Sequence, residues 1–289
     1  MKIWIPTIEV NAVTFLNVSI ITLLVILSLL VIYAFLTYPG KRRDISPELL
    51  GSRYAHRGLH DAEHPENSLS AFALAVKKGY GIELDVRLSK DGVLVVFHDD
   101  TLDRVVGREG KVIDFTAREL SEMKLSGSEE GIPTFKEVLD LVGGRVPLLV
   151  EIKEGASDKA VSLATAEMLK GYSGPLLIES FNPLSLARIK ETLPQIPRGL
   201  LCDHYTKRKE YRKPIYALLE WFLLNFKAKP DFYAYNHLCR AYLPFRLVRM
   251  LHKRPAFAWT VRTQVDSEIC KESGFTSIIF EDFIPKEEA

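Results

Sequence analysis

Gly81-Ile82-Glu83-Leu84-Asp85-Val86-Arg87 alternates apolar and polar residues with period two, as a β-strand does when successive side chains point to opposite faces. Glu83 and Asp85 share one face, and Ile82, Leu84 and Val86 share the other. Two carboxylates side by side on a buried strand repel one another and need a compensating cation. The turn Ser89-Lys90-Asp91-Gly92 is too short for a crossover helix before Val93-Leu94-Val95-Val96-Phe97-His98. These two strands are therefore expected to pair as an antiparallel hairpin.

Working outward, further strands are expected at residues 53–56, 148–152, 176–180, 199–203, 232–236, 256–261 and 277–281, and helices at 68–78, 134–141, 157–169 and 183–192. Asn67 or Ser68 can cap the first helix. Alternating strands and helices indicate an α/β fold. Setting the hairpin's return strand aside leaves eight strands, and residues 44–289 match the roughly 250 residues of a TIM-type (β/α)8 barrel. An open doubly wound sheet is disfavoured, because no glycine-rich phosphate-binding turn follows any expected strand.

No charged residue occurs between Glu9 and Lys41. Within that gap Phe15 to Leu36 is almost wholly apolar, and its ~22 residues span the ~30 Å hydrocarbon core as a helix. It lacks the short apolar region and small-residue cleavage site of a signal peptide. Residues 1–43 are read as an N-terminal membrane anchor with a transmembrane helix at about 15–36, and residues 44–289 as the barrel. Lys41, Arg42 and Arg43 flank the exit of the helix and only Lys2 and Glu9 flank its entrance, which places the barrel on the cytoplasmic side. The near balance of 38 Lys+Arg and 37 Asp+Glu argues against a nucleic-acid partner. Cys202, Cys239 and Cys270 are too scattered for a disulfide framework or a zinc cluster.

In Leu148-Leu149-Val150-Glu151-Ile152-Lys153, Glu151 shares a face with Leu149 and Lys153. Glu83, Asp85 and Glu151 make an oxygen-only ligand set that suits one divalent cation, Mg²⁺ or Ca²⁺. His56 and His98 end two of the strands and are suited to taking and giving protons near neutral pH. Arg57 offers a fork, and Lys153 a point charge, for phosphate oxygens. Because the C-terminal strand ends of a barrel form one rim, these residues are expected to converge there. Simple ion pairing of the acids with Arg57 and Lys153 would leave the histidines unexplained. His60, His64, His204, His237 and His252 lack such company and are read as structural or solvated.

These residues carry a resemblance to the glycerophosphodiester phosphodiesterases, relatives of the phosphatidylinositol-specific phospholipase C barrels. It runs through His56-Arg57-Gly58, Glu66-Asn67-Ser68, Glu83-Leu84-Asp85-Val86, Lys90-Asp91-Gly92, His98-Asp99 and Thr101-Leu102-Asp103-Arg104, and then through Pro133 to Leu139, Glu151-Ile152-Lys153, Ser180-Phe181 and Trp259-Thr260-Val261. The resemblance implies metal-dependent hydrolysis of a glycerophosphodiester to glycerol 3-phosphate and an alcohol. It implies Glu83, Asp85 and Glu151 as metal ligands, His56 and His98 as the acid and base, Arg57 and Lys153 beside the phosphate, and Trp259 lining the pocket. Arg262 stands where the family usually has Asn, and Ser277 to Asp282 departs from its usual closing strand, which leaves the alcohol open. The identity of the metal, and water or the glycerol hydroxyl as nucleophile, are open as well.

Lys207, Arg208, Lys209, Arg212 and Lys213 precede the aromatic-rich run Ile215 to Phe226. A basic lead into an apolar helix suits an anionic membrane surface, and equally a barrel helix packed on the core. A lysophospholipase D or phospholipase C-like enzyme acting on membrane lipids is the alternative reading, with a lysophospholipid as substrate. A catalytically silent phosphodiester-binding barrel is a third, disfavoured by the intact histidines.

Overall fold

The computed structural model describes residues 12–153, 155 and 158–286. Lys2, Glu9 and Ser157, each part of an expectation above, lie outside the described residues. Strands form at β1 (Tyr54–Ala55), β2 (Gly81–Leu88), β3 (Leu94–Val96), β4 (Leu148–Ile152), β5 (Leu176–Ser180), β6 (Arg198–Cys202), β7 (Phe232–Asn236), β8 (Ala256–Val261) and β9 (Ser277–Phe280). All but β3 are parallel and close into a barrel in chain order, with β1 bonded to both β2 and β9. β3 pairs antiparallel with the upper end of β2, Val86 opposite Val96 and Leu88 opposite Leu94. The expected TIM-type barrel with one hairpin is what forms.

Period-two alternation sorts the core. Tyr54, Leu149, Leu177, Leu201, Phe232, Phe257 and Ile279 fill the barrel interior, and Ile45 and Leu49 close its N-terminal end. The Tyr54 hydroxyl donates to the Leu49 carbonyl at 2.8 Å. Residues of the opposite parity, such as Ile82, Leu84, Val150 and Ile178, pack outward against the helices. Helices begin where capping chemistry permits: Ser68 accepts from Ala71 N–H, and Thr134 and Glu137 form a capping box, each such cap contributing about 1 kcal/mol.

Gly199 on β6 lies opposite Phe232 on β7. A Cβ there would stand 2.2 Å from the Phe232 ring, which is itself stacked on Phe257 at 4.5 Å and fully buried. Gly199→Ala is therefore expected to destabilise the barrel by about 1–3 kcal/mol through overpacking, read as a lowered melting temperature.

The N-terminal helix runs Ala12–Leu36, and Thr14–Leu36 is long and apolar enough to cross a membrane. Its residues are exposed from Thr14 to Ile32; from Tyr33 onward the chain packs on the barrel, with Thr37 and Pro39 buried. Arg43 lies 3.4 Å from Asp231, so the boundary expected near residue 43 falls within a stretch held against the barrel.

The run Ile215 to Phe226 is not one helix. It forms two, Pro214–Glu220 and Asn225–Ala228, because the chain turns at Phe222 (φ +59°) to bury that ring among Tyr233, Tyr235 and Phe245.

Candidate active site

β1 is two residues long and β2 is eight. Above Ala55 the edge of β2 is free to pair with β3, and a notch opens where β1 stops. His56 leaves β1 at this notch, its N–H bonded to the Phe280 carbonyl. β3 descends toward the same notch, and the Phe97 N–H donates to the Asp85 carbonyl at 3.0 Å. His98 thus reaches the level of the acids because β2 overshoots the rim and the return strand comes back down to it. Because β3 is antiparallel, its C-terminal end does not belong to the rim of parallel strand ends where His98 was expected, and His98 comes to the cavity only through this descent.

The Nδ1 atom of each imidazole is engaged by a carboxylate. His56 Nδ1 is bonded to Glu281, and His98 Nδ1 lies 2.6 Å from Asp99 Oδ1. Glu281 and Asp99 are held below the usual carboxylate range: burial opposes this, but it is outweighed at Asp99 by the hydrogen bond from Arg104 and then that to His98, and at Glu281 by the hydrogen bonds to His56 and His60. Ionised partners make each Nδ1 the donor and leave Nε2 without a hydrogen bond, that of His56 lying 4.0 Å from Glu83 Oε2. Burial lowers the His56 pKa and pushes that of His98 down to about 4, so both imidazoles are neutral near pH 7. His60, expected to stand apart, lies 3.8 Å from Glu281.

The carboxylates predicted to share a face do so inside the barrel. Register pairs Asp85 with Glu151 and Glu151 with Glu179, and ligand oxygens of Glu83, Asp85 and Glu151 all lie within 4.8 Å of one another. Burial, with the neighbouring acids, raises the Glu83 and Glu179 carboxyls well above their usual range. Burial also raises Glu151 to about 7 although Lys153 opposes it. Asp85 goes the other way: burial would raise it, but Lys153, His98 and Arg57 hold it well below. Lys153 Nζ bridges Glu151 at 2.8 Å and Asp85 at 3.2 Å. Four carboxylates against Lys153 and Arg57 leave two negative charges uncompensated when all are ionised, and the buried oxygen Glu179 Oε2 makes no hydrogen bond. An oxygen-seeking divalent cation fits both the charge and the donor set.

Arg57 occupies a left-handed conformation (φ +56°) followed by Gly58 at φ +83°, a combination that turns the Arg57 N–H onto Glu83 Oε2 at 2.9 Å. An added Cβ at Gly58 would stand 2.9 Å from Phe72, so the turn needs glycine on both counts. The Arg57 guanidinium bonds Glu66 at 2.8 Å and lies 3.7 Å from Asp85. Glu66 also takes two bonds from Arg104, which in turn holds Asp99 beneath His98. A charged chain thereby links His98 to Arg57.

A cavity of about 520 Å³ opens over these groups, lined on one side by His56, Arg57, Glu83, His98, Glu151 and Lys153, and on the other by Phe181, Tyr205, Tyr211, Tyr216, Leu219 and Trp259. All of the site residues expected from the sequence except Asp85 line it directly; Asp85 lies beneath them, fully buried. A larger groove, about 940 Å³, is bounded by Pro47–Arg53 and the helix Gln264–Glu272 and holds none of the cluster. Glu179 was missed although its parity with Leu177 gives the same signal as Glu151 with Leu149. Asn67, which donates to Asp85 at 2.8 Å, and Glu281 have no local signature. The two departures from the family pattern meet: Arg262 forms an ion pair with Glu281.

The solved glycerophosphodiester phosphodiesterase of Thermotoga maritima superposes with a TM-score of 0.62 at 26% identity, over 83% of this chain and 96% of that one. An Oleispira antarctica phosphodiesterase, solved with the product sn-glycerol-3-phosphate, shares the fold with a TM-score of 0.65 at 24% identity, over 80% of this chain and 92% of that one. In sequence, YhdW of Bacillus subtilis strain 168, a proposed glycerophosphodiester phosphodiesterase, is 31% identical over 246 residues, 81% of this chain and 96% of its own length. The glycerophosphodiester phosphodiesterase of Caldanaerobacter subterraneus is 40% identical over 161 residues, 51% of this chain and 65% of its own length. Residues 56–284, from the first histidine of the notch to just beyond the last barrel strand, match the family model, and the chain belongs to the glycerophosphoryl diester phosphodiesterase family.

Proposed function

We propose that the protein hydrolyses a glycerophosphodiester to glycerol 3-phosphate and an alcohol, with His56 and His98 as the proton-transfer pair. The observation that carries this is the placing of two imidazoles, each with Nδ1 pinned to a carboxylate, beside a buried acid cluster open to one cavity. Glu83, Asp85 and Glu151 are the proposed ligands of one Mg²⁺ or Ca²⁺, which when bound would neutralise phosphate charge as a Lewis acid. Arg57 and Lys153 hold the phosphate oxygens and stabilise the charge that grows on them in the transition state. One imidazole accepts the proton of the attacking hydroxyl at Nε2, and the other donates a proton to the leaving alkoxide. The two act in opposite protonation states, and the negative charge of the entering phosphodiester favours the proton on the second. Trp259 and Phe181, edge to face at 5.6 Å, wall off water beside the glycerol carbons.

Thr14–Leu36 is the proposed anchor, with residues 44–289 as the catalytic domain. The exposed Lys41 and Arg42 support a cytoplasmic barrel. The test is purified full-length protein on glycerophosphocholine: release of glycerol 3-phosphate with Mg²⁺ or Ca²⁺, and its loss on chelation, are expected. Undiminished turnover after complete chelation would refute the metal assignment.

A further inference from the structure

The contacts of the N-terminal helix give it a direction relative to the barrel. Arg43 meets Asp231, and Gly40 accepts from Arg254 at 2.7 Å; Asp231 and Arg254 shortly precede β7 and β8, at the N-terminal end of the barrel. Thr37 bonds Asn225 and His252, each at 3.0 Å. Tyr33 meets Trp221 edge to face at 6.3 Å, one residue beyond the helix Pro214–Glu220, whose Tyr216 and Leu219 line the catalytic cavity. As residue numbers fall, the contacts climb from the closed end of the barrel toward its mouth. The exposed Thr14 to Ile32 continue in that direction for about 28 Å, close to the thickness of a hydrocarbon core.

The side of the rim formed by the connections after β5 to β8 is apolar and basic, whereas exposed acids such as Asp61, Glu63, Asp100 and Asp282 lie on the other side. Leu184, Ile215, Leu218, Leu238, Leu243 and Val265 are each 40–73% exposed; Leu184, Leu238 and Val265 lie within four residues of a strand's C-terminal end, Leu243 starts the next α-helix after β7, and Ile215 and Leu218 lie on the helix Pro214–Glu220 that follows the long connection after β6. Met250 and Leu251, at the other end of the helix Leu243–His252, are exposed as well, as are Ile113, Leu163 and Ile284 outside this group. Lys207, Lys209, Arg212 and Lys213 are exposed on the connection after β6, with Arg208 turned to the cavity. Side chains of this kind suit an anionic lipid surface, and the tether brings that surface to them.

We propose that this rim docks on the bilayer holding the N-terminal helix, so that the cavity opens onto lipid and takes a membrane-borne lysophospholipid; the substrate class rests on the phosphodiesterase reading above. The aromatic side of the cavity, with Phe181, Tyr205, Tyr216 and Trp259, would take the acyl-bearing glycerol. Water's oxygen bonds to phosphorus, the bond to the head-group oxygen breaks, and a proton passes to that alcohol, leaving lysophosphatidic acid.

The test uses full-length protein in vesicles of phosphatidylcholine with one quarter phosphatidylglycerol. A fluorophore on Val265→Cys, in a Cys239→Ser background, is expected to be quenched by phosphatidylcholine brominated in its acyl chains, and one on Met250→Cys is not. No quenching at position 265, or equal quenching at both, would overturn the docking. The triple variant Lys207→Glu, Lys209→Glu, Lys213→Glu is expected to lose about tenfold or more of its turnover of lysophosphatidylcholine in these vesicles, and to keep its turnover of soluble glycerophosphocholine within about twofold. Equal loss on both, or loss on neither, would overturn the substrate assignment. Quenching at position 265 with no hydrolysis of either substrate would uphold the docking and reject the phosphodiesterase reading.

Discussion

Replacing His56 or His98 by asparagine is expected to lower kcat on glycerophosphocholine by about 10²–10⁴-fold while leaving the melting temperature nearly unchanged. The amide can still bond Glu281 or Asp99, so the notch keeps its shape, but it can neither accept nor release a proton at the Nε2 position. If the two imidazoles work in one proton relay, the double variant will be far less impaired than the product of the single losses. Wild-type turnover in both single variants would remove the pair from the mechanism. A large loss in one variant alone would leave a single histidine as acid or base. The geometry predicts symmetry: both rings are anchored through Nδ1 and both line the same cavity.

The second large effect has opposite signs in stability and activity. Glu83 is fully buried beside Asp85 and Glu151, and that crowding raises its carboxyl well above the usual range. Glu83→Gln removes the repulsion at nearly constant volume and keeps an acceptor for the Arg57 N–H. Without metal the variant is expected to be more stable than wild type by about 0.5–2 kcal/mol, and its activity is expected to fall by about 10² or more. Titrating Mg²⁺ or Ca²⁺ into the wild type should raise its melting temperature. At a hundredfold excess over Kd the gain is about 2.7 kcal/mol, or very roughly 5–10 °C for a domain of this size. Glu83→Gln should lose most of that rise. A variant that is less stable without metal, or that responds to metal as wild type does, would show that the cluster is a structural ion-pair network with Lys153 and not a cation site.

The extent to which the site was legible follows from what a local pattern carries. Alternation in Gly81 to Arg87 and Leu148 to Lys153 identified the inward faces, and with them Glu83, Asp85 and Glu151. The same rule applied to Leu176 to Ser180 would have yielded Glu179, since Leu177 of matching parity lies inside the barrel. Glu281 was visible only as a departure from a family pattern. Its role depends on β1 and β9 being neighbours at barrel closure, more than two hundred residues apart in the chain. The aromatic run at Ile215 to Phe226 has the composition of a helix, and the demand of one buried ring, Phe222, overrode it.

The sequence by itself determined the class of fold, the hairpin, the shared inward face of Glu83 and Asp85 and that of Glu151, and the apolar N-terminal helix, because each depends on side-chain period, turn length or apolar length within a few residues. Only the tertiary structure decided that His98 arrives by a descending strand, that each imidazole has its own carboxylate, and that the N-terminal helix rises toward the mouth of the cavity. Those facts depend on unequal strand lengths, on register between distant strands and on which surfaces bury one another. A local pattern fixes which face a residue occupies, and only the packed chain fixes what it meets there.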